Sequence, residues 1–479
     1  MVRPGRWLVA LAALGTACAG GRAARRGATV LYASGADLEG MNPLVTIHPL
    51  ARQVQRYVFL TTLARYDSTL RPEPYLARAW TWSADRRTLT LRLHTDVRWA
   101  DGAPTTARDV VWTLDAARDP ATGYARLADF AGVDAVSAPD DSTVTIAYTR
   151  PVLRFPDVLT DLAILPAHLL DSVPHADLRR AAWNAHPVGN GPFRFVAHEP
   201  NRRWVFVADS SFPASLGGPP RLARFIVVVV DEPTAKLAAL AGGELDFAGV
   251  SGVHVPFVRR DPRLAVIEYP LILPYGIVLN TRRPPFDDPR LRLALALAID
   301  RRAIVDGYAF GFARPADGPV PPGVPGYVPV PAVPFAPDSA RRLLGGRCPA
   351  FDLLTVGSGE AALEQMLQAD LEAVGCHVGI RQTELTTFLG QVYGPRHEFT
   401  AAVMGIPGDL GLSYLRTIPS LTGAPLPDDP EAAQRALAAT HAVVWLYHAL
   451  GVNGMNRRVH GVWMDLRGEL PTVARWWTE

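Results

Sequence analysis

The sequence predicts an α/β protein with more than one domain, and three observations lead to this prediction. A chain of 479 residues exceeds the size at which a single hydrophobic core stops growing. Strand patterns with a two-residue period alternate with helical patterns, so that β-α-β units recur along the chain. The hydrophobic fraction of 48% and the charged fraction of 20% are typical of a globular protein.

The first 27 residues predict an export signal followed by a short tether. Arg3 and Arg6 precede the apolar run Trp7 to Leu14, which is too short to span a bilayer. Small residues then lead to Cys18, a pattern that resembles a lipoprotein signal. We therefore expect lipidation of Cys18, with simple cleavage or an ordinary cysteine as the alternatives, and residues 19–27 as the tether.

The stretch from Leu89 to Ala117 predicts a strand, a turn and a helix. Leucines at every second position from Leu89 to Leu93 indicate a strand with one buried face. Residues 100–104 (ADGAP) have turn chemistry. Thr106 is the predicted N-cap of the helix, with Asp109 three residues later in a capping-box arrangement.

Two further stretches predict β-α-β architecture. The apolar run Phe225 to Val230 indicates a strand buried on both faces of a sheet, and a helix from Thr234 to Ala241 follows it. Farther along, Asp288 as N-cap and Pro289 at the first helical position predict the start of an apolar helix.

Cys348 and Cys376 are the only cysteines besides Cys18. Each lies just before a predicted strand of one β-α-β unit, Phe351 to Val356 and His377 to Arg381. Parallel neighbours start at the same sheet edge, and an exported chain meets oxidising conditions. We therefore predict a Cys348–Cys376 disulfide, and two buried free thiols are the alternative.

The run LRLHTDVRWADGAPTTARDVVWTL resembles the signature of the bacterial extracellular solute-binding proteins of family 5, the receptors of peptide, nickel and oligosaccharide ABC importers. PVGNGPF, from Pro187 to Phe193, is similar to the family's glycine-rich motif, and we expect its glycines to carry a chain crossing between lobes. The resemblance implies a two-lobed periplasmic-binding-protein fold of type II with the extra domain of the peptide-binding class.

This resemblance implies a discontinuous domain organisation. Lobe 1 is predicted to comprise residues 28–48, 186–272 and 460–479. The extra domain, residues 49–185, is inserted in lobe 1. Lobe 2 is predicted to comprise residues 273–459, and its C-terminal part looks shorter than the family norm.

The ligand site follows from the same resemblance. In peptide-binding members a motif aspartate pairs with the α-amino group of the ligand, and by position this residue is Asp409. Gly405 and Ile406 begin the same segment, and Asn42 belongs to a turn near the cleft. The tryptophan, the tyrosine and the second Asp-Pro of the motif are absent here, so that a plain turn aspartate is the alternative for Asp409.

No catalytic constellation is visible, and we expect a protein that is not an enzyme and uses no cofactor. His397-Glu398 begins like a zinc-protease motif, but Ala401 stands where its second histidine would be. We find no paired-cysteine metal motif and no G-x-S-x-G elbow. The net charge of +2 and the dispersed basic residues give no electrostatic indication of nucleic-acid binding.

The sequence thus predicts a lipid-anchored, monomeric receptor at the periplasmic or outer face of a membrane. Its predicted partners are a peptide-like solute, bound between two hinged lobes, and the permease subunits of an ABC importer. One alternative is a receptor for a nickel chelate, an oligosaccharide or another small solute. The other is a degenerate family member that acts as a sensor or structural lipoprotein.

Overall fold

The computed structural model describes residues 28–46, 48–357 and 359–479. The export signal, the lipidation of Cys18 and the tether predicted for residues 1–27 therefore lie outside the described residues. Within the described residues, no helix has the length and apolar character needed to cross a membrane. Lobe 1, lobe 2 and the extra domain denote the residue ranges predicted above. These boundaries are a proposal.

The strands belong to one large sheet and several small ones. In chain order they are β1 (Thr29–Ser34), β2 (Ala64–Tyr66), β3 (Pro72–Pro74), β4 (Ala77–Trp82), β5 (Thr88–Leu93), β6 (Val133–Asp140), β7 (Thr143–Tyr148), β8 (Phe193–Glu199), β9 (Arg203–Ala208), β10 (Arg224–Val229), β11 (Phe247–Gly249), β12 (Leu264–Leu279), β13 (Ala313–Pro315), β14 (Phe351–Val356), β15 (Val378–Thr383), β16 (Ala401–Gly405), β17 (Val443–Asn456), β18 (Val459–His460) and β19 (Trp477–Thr478).

The α-helices are mostly short and lie between these strands. In chain order they are α1 (Pro49–Val54), α2 (Ala107–Arg118), α3 (Val158–Asp161), α4 (Ala167–Leu170), α5 (Pro233–Ala241), α6 (Val255–Arg260), α7 (Pro289–Ala298), α8 (Arg301–Gly307), α9 (Pro337–Leu344), α10 (Ala362–Ala373), α11 (Leu385–Tyr393), α12 (Ile418–Thr422) and α13 (Pro430–Thr440). Helix α1 continues into a π-helical turn, Gln55–Phe59.

The large sheet has the strand order β15-β14-β16-β12-β17-β11-β1-β10-β9-β8, with β13 paired to β17. Its central strands, β12 and β17, are the longest; β12 passes from the residue range of lobe 1 into that of lobe 2, and β17 pairs with strands of both ranges. Leu264 to Pro270 of β12 pair with Leu450 to Asn456 of β17, and the pairing resumes after a register shift between Pro270 and Pro274. The two crossing strands thus connect the lobes at the centre of the sheet.

The extra domain is built on the small sheet β4-β5-β7-β6. Strand β5 has Leu89, Leu91 and Leu93 fully buried, as the two-residue period predicts. Helix α2 begins after Thr106, whose backbone N–H donates to the carboxylate of Asp109 at 2.8 Å. The strand, the turn and the capped helix predicted for this stretch are therefore confirmed.

The hydrophobic cores follow the two-lobed organisation. One continuous core joins lobe 1 to the extra domain, and Phe59 and Phe206 pack across this junction with ring centroids 6.2 Å apart. Two other cores, around Leu353 and Leu354, lie on opposite faces of the lobe 2 sheet. Lobe 1 and the extra domain therefore form one packed unit, and lobe 2 has cores of its own.

The glycine-rich run at Gly189 and Gly191 connects the extra domain to lobe 1. A Cβ atom at Gly189 would lie 2.2 Å from the carbonyl oxygen of Phe59, and one at Gly191 would lie 2.5 Å from its carbonyl carbon. Between the two glycines, Asn190 accepts a hydrogen bond from the N–H of Thr61 at 2.9 Å. The glycines are required because two backbone segments touch here.

The β-α-β predictions are confirmed in part. Helix α7 begins at Pro289, and the Asp288 side chain accepts a hydrogen bond from the next backbone N–H. Strands β14 and β15 pair in parallel, with a disulfide between Cys348 and Cys376 at their starts. Strand β10 is buried fully on one face only, because the short helix α5 leaves the other face half-covered.

Candidate functional site

A pocket of about 650 Å³ lies between the extra domain and lobe 2. Residues 66–72 and 126–158 supply one wall, and residues 325–326, 410–416 and 429–430 supply the other. The volume falls in the range of roughly 300–1,000 Å³ that is typical of ligand sites. Because its walls belong to separate parts of the fold, a change in their separation would open or close the pocket.

Asp409 is not itself a lining residue of this pocket, but it directly precedes the lining residues Leu410 and Gly411. Its carboxylate accepts hydrogen bonds from the N–H of Ser413 at 3.0 Å and from the hydroxyl of Ser413 at 2.6 Å. The N–H of Tyr414 donates to it at 3.2 Å. The aspartate therefore fixes the turn that shapes this wall, and its half-buried carboxylate can accept further hydrogen bonds.

Gly405 and Ile406 lie at the end of β16, against β12. A Cβ atom at Gly405 would lie 2.8 Å from the ring of Tyr275. The N–H of Ile406 donates to the carbonyl of Pro274 at 2.9 Å, and its side chain is buried. In this conformation neither residue presents a free side-chain group, so that their contribution is the path of the backbone leading to Asp409.

Asn42 is buried in lobe 1 and does not line the pocket. Its side-chain oxygen accepts a hydrogen bond from the N–H of Leu44 at 3.0 Å, and its amide donates to Asn184 at 3.3 Å. The turn that follows Asn42 borders a smaller cavity of about 110 Å³, which shares only Arg126 with the large pocket. The structure therefore does not bring Asn42 together with Asp409.

Arg126 organises a buried group of three carboxylates on the extra-domain side. Its guanidinium donates to Asp129 at 2.7 Å, to Asp157 at 2.9 Å and to Asp161 at 2.8 Å. All four side chains are at most 12% exposed. A fully engaged guanidinium among buried acids holds the wall of the pocket in one geometry.

Arg52 and Arg56, from α1 and the following turn, also pair with Asp161. Burial alone would raise the pKa of Asp161, but the guanidiniums of Arg52, Arg56 and Arg126 outweigh it and lower the pKa far below its usual range. Asp161 is therefore a permanent anion that ties the first helix of the extra domain to the pocket wall.

Asp157 has the opposite electrostatic character. Burial raises its pKa, Arg126 opposes the rise, and the nearby carboxylates of Asp409 and Asp161 add to it. The hydroxyl of Tyr66 donates to Asp157 at 2.8 Å. Asp157 thus lies on the extra-domain wall next to lobe 2, where burial and the neighbouring carboxylates disfavour its charged form while Arg126 favours it.

Several contacts join the two walls. A Cβ atom at Gly411 would lie 2.5 Å from the Cβ of Asp157. The guanidinium of Arg416 lies 3.8 Å from the Asp129 carboxylate, and that of Arg154 lies 3.9 Å from Glu431. The extra domain and lobe 2 are therefore in contact around the pocket.

Among the described residues, no cluster of three or more histidine, cysteine, aspartate or glutamate side chains could hold a metal ion. The imidazole of His397 hydrogen bonds the carbonyl oxygen of Val392 at 2.9 Å, and Glu398 pairs with Arg396 on the surface. Both side chains therefore have partners within the protein.

Sequence reasoning missed the charged side chains of the extra domain that line the pocket, namely Arg126, Asp129, Arg150, Arg154 and Asp157. The only signal was a proline-rich loop, residues 150–157, with several charged residues. Sequence cannot show which distant acids and arginines meet, because the partners of this loop lie far along the chain.

The two-lobed architecture, with two crossing strands and a pocket between separate walls, defines a solute-binding class of protein. Comparison with known families agrees. The family model for bacterial extracellular solute-binding proteins, family 5 (middle region), matches residues 71–423, more than half of the chain. The chain belongs to this family, and this match confirms the resemblance inferred from its motifs. The family is extracellular, so that the protein acts outside the cytoplasm.

A protein of Brucella ovis, named as an ABC transporter peptide-binding protein, is 31% identical to this chain over 350 residues. The alignment covers 69% of this chain and 64% of the relative, so the chain spans less than two thirds of the relative's length.

Solved structures show the same fold. The oligopeptide-binding protein AppA from Bacillus subtilis, in complex with a nonapeptide, has a TM-score of 0.79 at 20% identity and covers 94% of this chain and 99% of its own. NikZ from Campylobacter jejuni, in complex with Ni(L-His), has a TM-score of 0.78 at 19% identity and covers 94% and 100%. The predicted two-lobed α/β fold is confirmed.

Proposed function

We propose that this protein is the receptor of an ABC importer and binds a peptide-like solute in the pocket between the extra domain and lobe 2. The observation that carries the proposal is the position of Asp409, which holds the lobe 2 wall through Ser413 and whose carboxylate lies near Asp157 of the opposite wall. An ammonium group of the ligand pairs with this carboxylate. The pair strengthens as water leaves the closing pocket.

The ligand favours the closed state of the pocket because only in that state do both walls contact the ligand. The described contacts between the walls, such as Arg416 with Asp129, are long and exposed on the arginine side. Contacts of this kind are weak, so that the empty protein can open without a large cost. Ligand contacts to both walls then add the free energy that favours the closed state.

The names of the relatives support a peptide as the ligand class, and the family supports a permease as the partner. We further propose the lipid anchor at Cys18, a monomer, and the division into lobe 1, extra domain and lobe 2 given above. Gly405 and Ile406 act through the backbone that leads to Asp409, and Asn42 acts as the cap of its own turn.

A nickel chelate is the second candidate ligand. NikZ shares the fold while its ligand is Ni(L-His), so that the fold leaves the ligand open. Asp157 and Asp409 are two carboxylates near one pocket. A cationic nickel chelate would be attracted by these negative charges, as the ammonium group of a peptide would be.

A thermal-shift screen of residues 28–479 tests these functions against pools of di-, tri- and oligopeptides, nickel chelates and oligosaccharides. A ligand at 100 times its Kd adds about 2.7 kcal/mol to the free energy of unfolding. We expect a shift with peptides, and weaker binding by roughly 30-fold or more in Asp409→Asn. The exposed Asp428→Asn is the matched control. If no pool raises the melting temperature of a protein that unfolds cooperatively, the result would support a sensor or structural lipoprotein instead.

A further inference from the structure

We propose that the mouth of the pocket is a subsite for anionic groups, formed by Arg150, Arg154 and Arg416, which gives the receptor a preference for acidic peptide-like solutes. The inference rests on the proposed function and deepens it by naming the class of peptide. It concerns the outer part of the pocket, whereas Asp409 lies on the segment that forms its lobe 2 wall.

The three arginines reach the mouth from both walls. Arg150 and Arg154 belong to the loop after β7 of the extra domain, and Arg416 belongs to the 3-10 helix Ser413–Thr417 of lobe 2. The Arg154 guanidinium extends to lobe 2, where a Cβ atom at Gly326 would lie 3.0 Å from its Nη1. A ligand in the mouth would therefore meet guanidiniums from opposite sides.

These guanidiniums are only loosely paired. The distance from Arg154 to Glu431 is 3.9 Å and that from Arg416 to Asp129 is 3.8 Å, beyond hydrogen-bonding range. The two arginine side chains are 61% and 64% exposed. Within the described part of the chain, Arg150 is exposed and its guanidinium has no hydrogen bond or ion pair.

The acids near the mouth already have closer partners. Asp129 accepts from Arg126 at 2.7 Å, and Asp429 caps α13 by accepting from the N–H of Ala432 at 2.8 Å. Glu431 also faces Arg435 at 3.7 Å, on the next turn of the same helix. A backbone N–H does not neutralise Asp429, so that Asp429 and Glu431 keep their charge, but Arg150, Arg154 and Arg416 outnumber these two acids and leave an excess of positive charge at the mouth.

The chemistry of the side chains indicates the ligand group. The planar guanidinium fork matches a carboxylate with two parallel hydrogen bonds, which a compact ammonium cannot do. The three guanidiniums of Arg150, Arg154 and Arg416, on two walls, can bind more than one carboxylate. An acidic side chain, in addition to the terminal carboxylate, is the peptide feature that fits. Binding such groups also draws the walls together, because Arg416 and the pair Arg150 and Arg154 belong to different lobes.

The test compares alanyl-glutamyl-alanine with its near-isostere alanyl-glutaminyl-alanine by titration calorimetry on residues 28–479. We expect the glutamyl peptide to bind about tenfold tighter or more, with an advantage that shrinks as salt is raised. The triple variant Arg150→Gln, Arg154→Gln, Arg416→Gln should bind both peptides alike. Arg202→Gln, 78% exposed on the β8–β9 turn, is the control and should keep the preference.

Equal binding of the two peptides by the wild type, or a preference that survives in the triple variant, would overturn the anionic subsite and leave the peptide receptor standing. Failure of both peptides to bind, while another pool of the screen shifts the melting temperature, would remove the peptide proposal and this subsite together. All variants are checked for wild-type melting cooperativity. The substituted side chains are exposed, and we expect them to fold.

Discussion

Glu469 projects from the C-terminal segment against the strands of lobe 1. Its carboxyl group accepts a hydrogen bond from the hydroxyl of Tyr269 at 2.9 Å and also contacts the hydroxyl of Tyr32. Its backbone N–H donates to the side chain of Gln53 at 2.6 Å. Burial without a cationic partner raises the pKa of Glu469 to about 7.

This pKa makes stability depend on pH in a definite direction. Between the ordinary pKa of 4.5 and about 7, the folded chain binds a proton that the unfolded chain has released. The stabilising contribution is therefore present at acidic pH and is lost as pH rises through 7. In Glu469→Gln, we expect stability equal to wild type near about pH 5 and greater by about 2 kcal/mol near about pH 8. Urea unfolding at both pH values measures the free energy of unfolding of wild type and variant. The exposed Glu372→Gln is the control and should show no such pH dependence.

The Arg126 side chain supports a second prediction at the residue scale. In Arg126→Met, three buried carboxylates lose a shared partner, and removing one partner of a buried ion pair costs about 3–5 kcal/mol. The exposed pair of Arg108 with Asp171 gives the control, since Arg108→Met should cost about 1 kcal/mol or less. Urea unfolding of both variants measures the difference, and equal small losses would contradict the role given to Arg126.

Sequence reasoning succeeded at residues whose partners are close in the chain. Thr106 and Asp109 are three positions apart, and the capping interaction follows from that spacing. It could not find the network of Arg126, Asp157 and Asp161, because those groups meet only when separate loops pack together. Asp409 was found only through the family motif.

At the scale of elements, the glycine-rich run supplies the sharpest prediction. Gly189→Ala places a methyl group 2.2 Å from the carbonyl oxygen of Phe59, so that one backbone segment must move. We expect a loss of about 1–3 kcal/mol in stability by urea unfolding. Gly132→Ala is the matched control, because a Cβ atom there meets nothing within 4 Å. Similar small effects at both positions would refute the close approach.

Strands and helices with clear periodicity were predicted close to their observed bounds. Strand β14 occupies residues 351–356 as predicted, and helix α7 begins at Pro289. The full length of the crossing strand β12 does not follow from its own sequence, because residues 264–274 have no regular alternation and contain two prolines. Its length is set by pairing with β17, which local sequence does not encode.

At the scale of the molecule, the family motifs predicted two lobes and an extra domain, and the packing of the cores agrees with that arrangement. The pocket between the extra domain and lobe 2 was not predictable. Its walls come from segments more than 160 residues apart, because one ends at residue 158 and the other begins at residue 325. Composition gives no indication that charged loops will face one another there.

The shared strands β12 and β17 have a consequence for how this receptor unfolds. Because each strand contributes to both halves of the large sheet, neither half can lose its central pairing without breaking that of the other. Local opening events would therefore spread along these strands, and the amides at the crossing would be among the last to exchange with solvent. Bending at the register shift can change the separation of the walls, while the sheet behaves as a single cooperative unit.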